Sequence, residues 1–325
     1  MTDDQLVRML IEAGKAVQKK VYESLRTSGV EQLSAVHAEK KEDTIYQIDR
    51  EVEDVLLPVL TKYAVSAEGF VILAEGIGDG ENGTLLPVTS STPKFRIIID
   101  PIDGTRGIMY NKRPAFFLAG IAVNNGIATR LSDIFISVMV ELPTTKHFLA
   151  DVLWAIRGRG AYRRADNLLT GESTPQKISP SRAKTIIGGF AQFARFFPPG
   201  RDILSAIEDE LIHTIQPDNP GGKALVFEDQ YICTGGQLYE MLMGHDRFIA
   251  DIRGILYRKL AKEGTQPGHV CHPYDACTFL IGKEAGIIIT DGYGNDFDGP
   301  LDLNSEVNWI GYANSDIRGQ VEPIL

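Results

Sequence analysis

The spacing of apolar residues predicts two helices in the first part of the chain. Thr2 and Gln5 have the spacing of a capping box, and apolar residues then recur every three or four positions over residues 6 to 25. This pattern predicts a long amphipathic helix. A second helical pattern begins at Asp49 with an acidic first turn, and Pro58 is expected to kink or shorten that helix.

Continuous apolar runs predict strands after the second helix. Four runs, FVILAE, FRIIID, FFLAGIAV and DIFISVMVEL, are rich in β-branched and aromatic residues. Residues 76 to 94, between the first two runs, are rich in Gly, Ser, Thr and Pro, which predicts a loop. The first half of the chain is therefore expected to be α+β.

The second half combines helical and strand-like patterns. Helical patterns at residues 201 to 213 and 235 to 244 are followed by the strand-like runs FIADI and GIIIT. Such a mixture is typical of an α/β unit. We place a domain boundary near Ser181, which gives an N-terminal α+β domain of residues 1–181 and a C-terminal α/β domain of residues 182–325.

Composition and charge narrow the class of protein. The chain has 325 residues, 43% of them hydrophobic, which is enough for a large core. A net charge of −10 offers no electrostatic footprint for nucleic acid or an anionic membrane surface, and no apolar run is long enough to span a bilayer. The first residues lack the layout of a signal peptide, so we expect a cytoplasmic protein. Cys233, Cys271 and Cys277 lack CxxC spacing, which predicts reduced thiols.

The stretch IIIDPIDGTRG carries the clearest chemistry. Three isoleucines before Asp100 favour a buried strand, and Pro101 is expected to end it because proline cannot donate to a ladder. Asp100 and Asp103 then lie on one turn, where two neighbouring carboxylates are stabilised by a divalent cation between them. Gly104 and Thr105 offer successive N–H groups to an anion. The stretch predicts a cation site beside a phosphate cradle; the alternative is a solvated Asx-rich turn.

Two distant segments add carboxylates. Glu75 ends the run VILAE much as Asp100 ends its own strand. Asp275 follows Pro273 and is expected to be the first residue of a helix with an apolar face. Taken singly, the first would be a surface group and the second a helix cap.

These residues together resemble the inositol monophosphatase superfamily of magnesium-dependent, lithium-sensitive phosphatases. The motifs that carry the resemblance are DPIDGT, the upstream strand-end Glu, and PYDA followed by EAG and TD, and it covers roughly residues 40 to 314. The resemblance implies a layered α/β/α/β/α sandwich of the inositol monophosphatase and fructose-bisphosphatase type, and a homodimer. The superfamily also includes 3′-phosphoadenosine nucleotidases.

The resemblance implies two magnesium sites, with a third, looser one near Asp49. Glu75, Asp100 and the carbonyl of Ile102 would bind the first Mg²⁺. Asp100, Asp103 and Asp275 would bind the second, so that most ligands come from the N-terminal domain and the last from the C-terminal domain. Lithium is expected to inhibit. Carboxylates and carbonyls are the ligands that Mg²⁺ prefers, and four carboxylates balance the charge of two such ions.

The resemblance also implies catalytic and substrate-binding roles. The Thr105 hydroxyl, with Glu75, would orient and activate a metal-bound water, and Asp49 would belong to the same catalytic set. The N–H groups of Gly104 and Thr105 would hold the phosphate. Arg106 would contact the substrate, although contacts with solvent or a neighbouring chain are equally open.

The chain departs from the family pattern in places that affect substrate choice. Tyr274 stands where the family has Trp, and Tyr46 where it has Thr. The segment from Gly254 to His272 is longer than in a typical member. We predict that Arg106 and this segment read a second anionic group, the alternative being a solvated face; the cations in the segment are Arg258, Lys259 and Lys262.

The predicted function is Mg²⁺-dependent hydrolysis of a small phosphate monoester by metal-activated water, the substrate being an inositol phosphate, a sugar phosphate or a 3′-phosphonucleotide. The alternative is a catalytically silent member that acts as a regulatory or interaction subunit. A haloacid-dehalogenase phosphatase is disfavoured because its motif needs one residue between the aspartates, and Pro101 and Ile102 both intervene here. GDGENG at residues 78–83 fits G-x-G-x-x-G but precedes no helical pattern, so we expect a loop.

Overall fold

The computed structural model describes residues 1–34, 36–39, 44–77, 83–87, 92–219 and 222–325. The helices in these ranges are α1 (Asp3–Thr27), α2 (Val30–Leu33), α3 (Gln47–Ala64), α4 (Thr105–Met109), α5 (Arg201–Ile215), α6 (Thr234–Leu242), α7 (Arg253–Lys262), α8 (Phe279–Glu284) and α9 (Ser315–Val321). The strands are β1 (Val36–Glu39), β2 (Thr44–Tyr46), β3 (Phe70–Ala74), β4 (Thr84–Leu86), β5 (Phe95–Asp103), β6 (Ala115–Val123), β7 (Ile136–Leu142), β8 (Leu149–Ile156), β9 (Ala161–Asn167), β10 (Ser173–Gln176), β11 (Phe190–Phe193), β12 (Asp246–Asp251), β13 (Ile288–Thr290) and β14 (Trp309–Tyr312).

The first two helices follow the predicted pattern with one difference. The capping box of α1 is present, since the Gln5 N–H donates to the Thr2 hydroxyl and the Gln5 side chain accepts the Thr2 N–H at 2.8 Å. The apolar face of α1 packs on α3 and β7. Pro58 was predicted to kink or shorten its helix; it lies inside α3, which runs on to Ala64, so it does not shorten the helix.

The larger sheet has eight strands in the order β10-β9-β8-β7-β6-β5-β3-β4. Its pairs are antiparallel except for β3 and β5, which run in parallel. Successive residues of β5 serve opposite faces, because Ile97 and Ile99 join the core under α1 and α3 while Ile98 joins the core shared with α6 and α8. Burial of both faces explains why these strands are continuous apolar runs.

The smaller sheet has the order β11-β12-β14-β13, with only β11 and β12 parallel. Within β12, Ile249 joins the core shared with the larger sheet, whereas Phe248 and Ala250 face a third core formed with α5, α7 and α9. Helices α6 and α8 thus lie between two sheets whose outer faces are covered by other helices. This α/β/α/β/α layering confirms the predicted fold class.

The predicted loop, domain boundary and lack of a membrane span can be compared with the described residues. Within the predicted loop of residues 76 to 94, residues 84–86 form the edge strand β4, and residues 78–82 and 88–91, with most of GDGENG, lie outside the described part. The boundary predicted near Ser181 falls between β10 and β11, and the division into domains stays a prediction. Among the described residues, no helix combines the length and apolar character needed to cross a bilayer.

Half-buried Glu141 gives stability a specific pH dependence. Burial raises its pKa to about 7, although its side chain accepts the Asp151 N–H at 2.9 Å. Because the folded pKa exceeds the ordinary value of 4.5, the contribution of this carboxyl to stability is fully present at or below about pH 4.5 and is lost as the pH rises through about 7. We therefore expect the free energy of unfolding, measured with denaturant, to fall less between about pH 5 and about pH 8 in Glu141→Gln than in the unmodified protein. The difference should be on the order of 2 kcal/mol.

The matched control for this experiment is Glu172→Gln, since Glu172 is exposed. This substitution should leave the difference in the free energy of unfolding between the two pH values the same as in the unmodified protein. An equal pH dependence in Glu141→Gln and the unmodified protein would show that Glu141 does not carry the effect.

Candidate active site

An irregularity in β5 brings Asp100 and Asp103 to one side of the sheet. Asp100 pairs with Leu118 and Asp103 with Phe116, so three steps along β5 match two along β6. Residues three apart in a regular strand face opposite ways, and the extra residue of a bulge corrects this. The prediction that the strand ends at Pro101 is wrong, because β5 continues to Asp103 and the proline is accommodated where the ladder is already interrupted.

The turn after β5 is shaped by Gly104 and Thr105. Gly104 has φ of +98°, and a Cβ there would lie 3.0 Å from the Cys233 Sγ. The Thr105 hydroxyl donates to the Ile102 carbonyl at 2.8 Å, and the Ile102 N–H donates to Asp100 Oδ1 at 3.0 Å. These bonds fix the backbone that joins the two aspartates.

Asp275 reaches the same place from the C-terminal half. It lies in a turn, since α8 begins four residues later at Phe279, and the prediction that Asp275 starts the helix is wrong. Its Oδ2 accepts the His272 N–H at 2.6 Å, so the carboxylate stabilises the preceding turn instead of a helix end. Oxygen atoms of Asp100, Asp103 and Asp275 all lie within 4.8 Å of one another.

Glu75 joins this cluster because β3 and β5 are parallel and end together. Ala74 is in register with Ile99, and the Glu75 N–H donates to the Ile99 carbonyl at 3.1 Å. The side chain of Glu75 is hydrogen-bonded to Asp100. The four carboxylates singled out in the sequence therefore meet at one point of the fold.

Burial and mutual repulsion make the cluster electrostatically unfavourable without a cation. Burial, with the neighbouring carboxylates Glu75, Asp103 and Asp275, raises the pKa of Asp100 well above its ordinary range. Burial also raises the pKa of Asp275 and brings that of Asp103 to about 6. A divalent cation between such oxygens favours their ionised forms, and Mg²⁺ binds carboxylate and carbonyl oxygens. The donor set therefore fits magnesium.

The N-terminus of α6 holds Asp103, and this contact was not predicted from the DPIDGT stretch. The backbone N–H groups of Thr234 and Gly235 both donate to the Asp103 carboxylate, and the Cys233 thiol donates to the Asp103 carbonyl at 3.1 Å. A Cβ on Gly235 would lie 2.8 Å from Asp103 Oδ2 and 2.7 Å from Leu118 Cδ2. The signal in the sequence that could have found this contact is the pair of glycines that follows Thr234.

The three cysteines are free, as predicted, and all three are buried. Burial raises the pKa of each thiol well above its ordinary value, so all three are protonated at neutral pH.

A cavity of about 110 Å³ opens onto the carboxylates. The lining includes Gly104, Thr105 and exposed Arg106 beside the cluster. The three cations of the 254–272 segment that were predicted to bind a second anionic group are not among the residues that line this cavity. Arg258 pairs with Glu306 at 3.0 Å, and Lys259 and Lys262 are exposed. The cation that α7 contributes to the cavity is Arg253.

Asp49 and Tyr46 have only their backbones described. Asp49 lies in the first turns of α3 and Tyr46 at the end of β2, and both side chains lie outside the described part of the chain. The third metal position near Asp49 stays a prediction.

The chain matches known proteins in sequence and in structure. The model of the inositol monophosphatase family matches residues 3–191. A fructose-1,6-bisphosphatase/inositol-1-monophosphatase from Methanothermobacter thermautotrophicus is 22% identical over 284 residues, which cover 86% of this chain and 82% of the relative.

Two solved structures share the fold. Fructose-1,6-bisphosphatase from Leishmania major, in holo form, is 13% identical and superposes over 97% of this chain and 93% of its own with a TM-score of 0.67. A solved inositol monophosphatase-fructose 1,6 bisphosphatase is 19% identical and superposes over 100% of both chains with a TM-score of 0.64. Because the family model spans more than half of the sequence and includes Glu75 and the DPIDGT stretch, the chain belongs to the inositol monophosphatase family of phosphoric monoester hydrolases.

Proposed function

We propose that the protein is a Mg²⁺-dependent phosphatase that hydrolyses a small phosphate monoester. The observation that carries the proposal is the buried cluster of Asp100, Asp103 and Asp275, whose oxygens lie within 4.8 Å of one another beside Glu75. The name of the Methanothermobacter relative supports sugar phosphates and inositol phosphates as the substrate class.

The proposed ligands form two overlapping sets. Glu75, Asp100 and the Ile102 carbonyl would hold one ion, and Asp100, Asp103 and Asp275 would hold the other. Bound Mg²⁺ would stabilise charge on the phosphate oxygens and lower the pKa of the attacking water. Asp49 is the proposed neighbour of a third ion.

The protein's own groups would position the water and the phosphate. The Thr105 hydroxyl donates to the Ile102 carbonyl at 2.8 Å, and its oxygen would accept a hydrogen bond from the attacking water. Glu75 lines the same cavity and would take the proton of that water. The N–H groups of Gly104 and Thr105 would hold phosphate oxygens, and Arg106 would contact the rest of the substrate. We keep the homodimer and the cytoplasmic location as predictions.

A phosphate-release panel tests this function. It should contain inositol 1-phosphate, fructose 1,6-bisphosphate and a 3′-phosphonucleotide, each with Mg²⁺ and with a chelator. We expect release that depends on Mg²⁺ with at least one substrate. A folded protein that releases no phosphate from any of them would favour the silent regulatory subunit.

Lithium should inhibit the Mg²⁺-dependent reaction. Li⁺ is expected to occupy the position held by Asp103 and Asp275, and its single charge would leave those carboxylates less well neutralised. The concentration of Mg²⁺ that gives half-maximal turnover should change when Li⁺ is added, whereas K⁺ at the same concentration should leave it unchanged. Indifference to Li⁺ at high concentration would show that this position differs from the family's.

A further inference from the structure

Part of the lining of the candidate active-site cavity is aromatic and apolar, and another part is acidic. We call the apolar part the aromatic wall; its members are Phe196, Phe197, Ile232, His269 and Val270, all of which line the cavity with the carboxylates. Phe196 and Phe197 are half-buried, and Ile232 is 44% exposed. Apolar side chains that line a binding cavity and stay accessible are typical of ligand contacts.

Arg253 holds the aromatic wall in place. Its guanidinium binds the Asp251 carboxylate through Nε and Nη2 at 2.8 and 2.6 Å, and Nη1 donates to the His269 carbonyl at 2.9 Å. The same guanidinium lies 4.3 Å from the ring centroid of Phe196 and 5.4 Å from that of Phe197. Since each of its nitrogens already donates and it is buried, Arg253 is a positioning residue.

Further contacts fix the two phenylalanines from neighbouring helices. The Tyr257 hydroxyl of α7 donates to the Phe197 carbonyl at 3.2 Å, and Arg201 of α5 donates to the Phe196 carbonyl. The rings of Phe196 and Phe197 meet edge to face with centroids 4.9 Å apart. The wall is therefore built before any ligand arrives, and α7 together with the following turn supplies much of its support.

The aromatic wall continues directly to the reacting centre. The Phe197 and His269 rings meet edge to face at 5.7 Å, and the His269 and His272 rings lie 5.4 Å apart. The His272 N–H donates to Asp275 Oδ2. A substrate whose phosphate reaches the carboxylates can therefore place its alcohol part against this wall.

The wall suits a flat unsaturated ring better than a polyol. Hydroxyl groups that leave water and face apolar side chains lose hydrogen bonds, whereas a base stacks on an aromatic side chain through its π-face. We propose that the preferred substrate is a phosphate monoester whose alcohol carries an aromatic base, as in a nucleoside phosphate. This inference rests on the proposed phosphatase function and adds the substrate class. Exposed Arg106, which lines the same cavity, would contact this anionic substrate.

A matched substrate pair tests the proposal. Adenosine 3′-monophosphate and ribose 3-phosphate share the phosphate and the sugar and differ in the base, and inositol 1-phosphate adds a polyol. With Mg²⁺ present, kcat/KM should be about tenfold or more higher for the nucleotide than for either of the other two, which corresponds to about 1.4 kcal/mol.

Variants then assign the preference to the wall. Phe197→Ala should bring the ratio of nucleotide to ribose phosphate close to one, and Phe197→Tyr should keep it. Ile232→Ser, at an exposed position, should lower the ratio as well and serves if Phe197→Ala fails to fold. The control is Phe190→Ala, because Phe190 is also exposed but packs on Phe227 away from the cavity lining. Thermal unfolding of each variant checks the fold.

The outcomes separate the two claims. The inference is wrong, while the phosphatase function stands, if ribose 3-phosphate or inositol 1-phosphate is hydrolysed with Mg²⁺ at a kcat/KM equal to that of the nucleotide. It is also wrong if the ratio of kcat/KM for the nucleotide to that for ribose phosphate is unchanged in folded Phe197→Ala and Ile232→Ser. If no phosphate is released from any of the three, the proposed function fails, and the inference fails with it.

Discussion

Asp275→Asn is expected to lower Mg²⁺-dependent phosphate release on the order of 10³-fold while the protein remains folded. Asparagine keeps the shape of the side chain and can still accept the His272 N–H, which the carboxylate accepts at 2.6 Å. It removes one full charge from the cluster that Asp275 forms with Asp100 and Asp103. Without metal, the neutral amide relieves repulsion among buried carboxylates, so thermal stability should not fall.

Kinetics at several Mg²⁺ concentrations measure this effect. Asp316→Asn serves as the control, because Asp316 is an exposed residue in the first turn of α9, and its kcat/KM should be unchanged. Turnover of Asp275→Asn near that of the unmodified enzyme at low Mg²⁺ would remove Asp275 from the proposed ligands.

Gly235→Ala is expected to lower kcat/KM about 10²-fold, although alanine is the better helix former. The Gly235 N–H binds the same Asp103 oxygen that a new Cβ would approach to 2.8 Å. Leu118 Cδ2 would lie 2.7 Å away on the other side, so the methyl group can be accommodated only if the Asp103 carboxylate or the start of α6 moves. The effect should be largest at low Mg²⁺, where the position of this ligand limits activity.

Gly319→Ala is the matched control for this substitution. Gly319 lies in α9, and no atom lies within 4 Å of a Cβ added there, so this change should be neutral or slightly stabilising. Gly235→Ala with the kcat/KM of the unmodified enzyme at limiting Mg²⁺ would show that α6 does not position Asp103.

The sequence predicted the acidic cluster well because its residues follow strong local signals. Each apolar run that ends in a carboxylate is a central strand, and parallel β3 and β5 end side by side, so Glu75 and Asp100 meet. The family and the enzyme class were also predicted correctly. The roles of individual site residues stay predictions.

Two local predictions at the candidate active site failed because tertiary contacts decided the structure. Pro101 does not end its strand, since the bulge between Asp100 and Asp103 leaves room for a residue that cannot donate. Asp275 does not start a helix, because its carboxylate binds the N–H of His272 within a buried turn. In both cases the backbone departs from its regular course at a carboxylate of the cluster.

The aromatic wall could not be predicted, because adjacent Phe196 and Phe197 lie far along the chain from His269 and share no motif with it. One error beside it was avoidable. Leu256 and Leu260 of α7 are four residues apart and both are buried, which places Arg258 on the opposite, exposed face. The helical phase of this segment would have excluded Arg258 from the cavity.

Binding of Mn²⁺, used as a paramagnetic substitute for Mg²⁺, tests the central claim most directly. Electron paramagnetic resonance should detect about two bound ions per chain in the unmodified protein, and titration with Mg²⁺ should displace them. Folded Asp275→Asn should bind at least one ion fewer or much more weakly. Equal stoichiometry and affinity in the two proteins would contradict the assignment of Asp100, Asp103 and Asp275 as a metal centre.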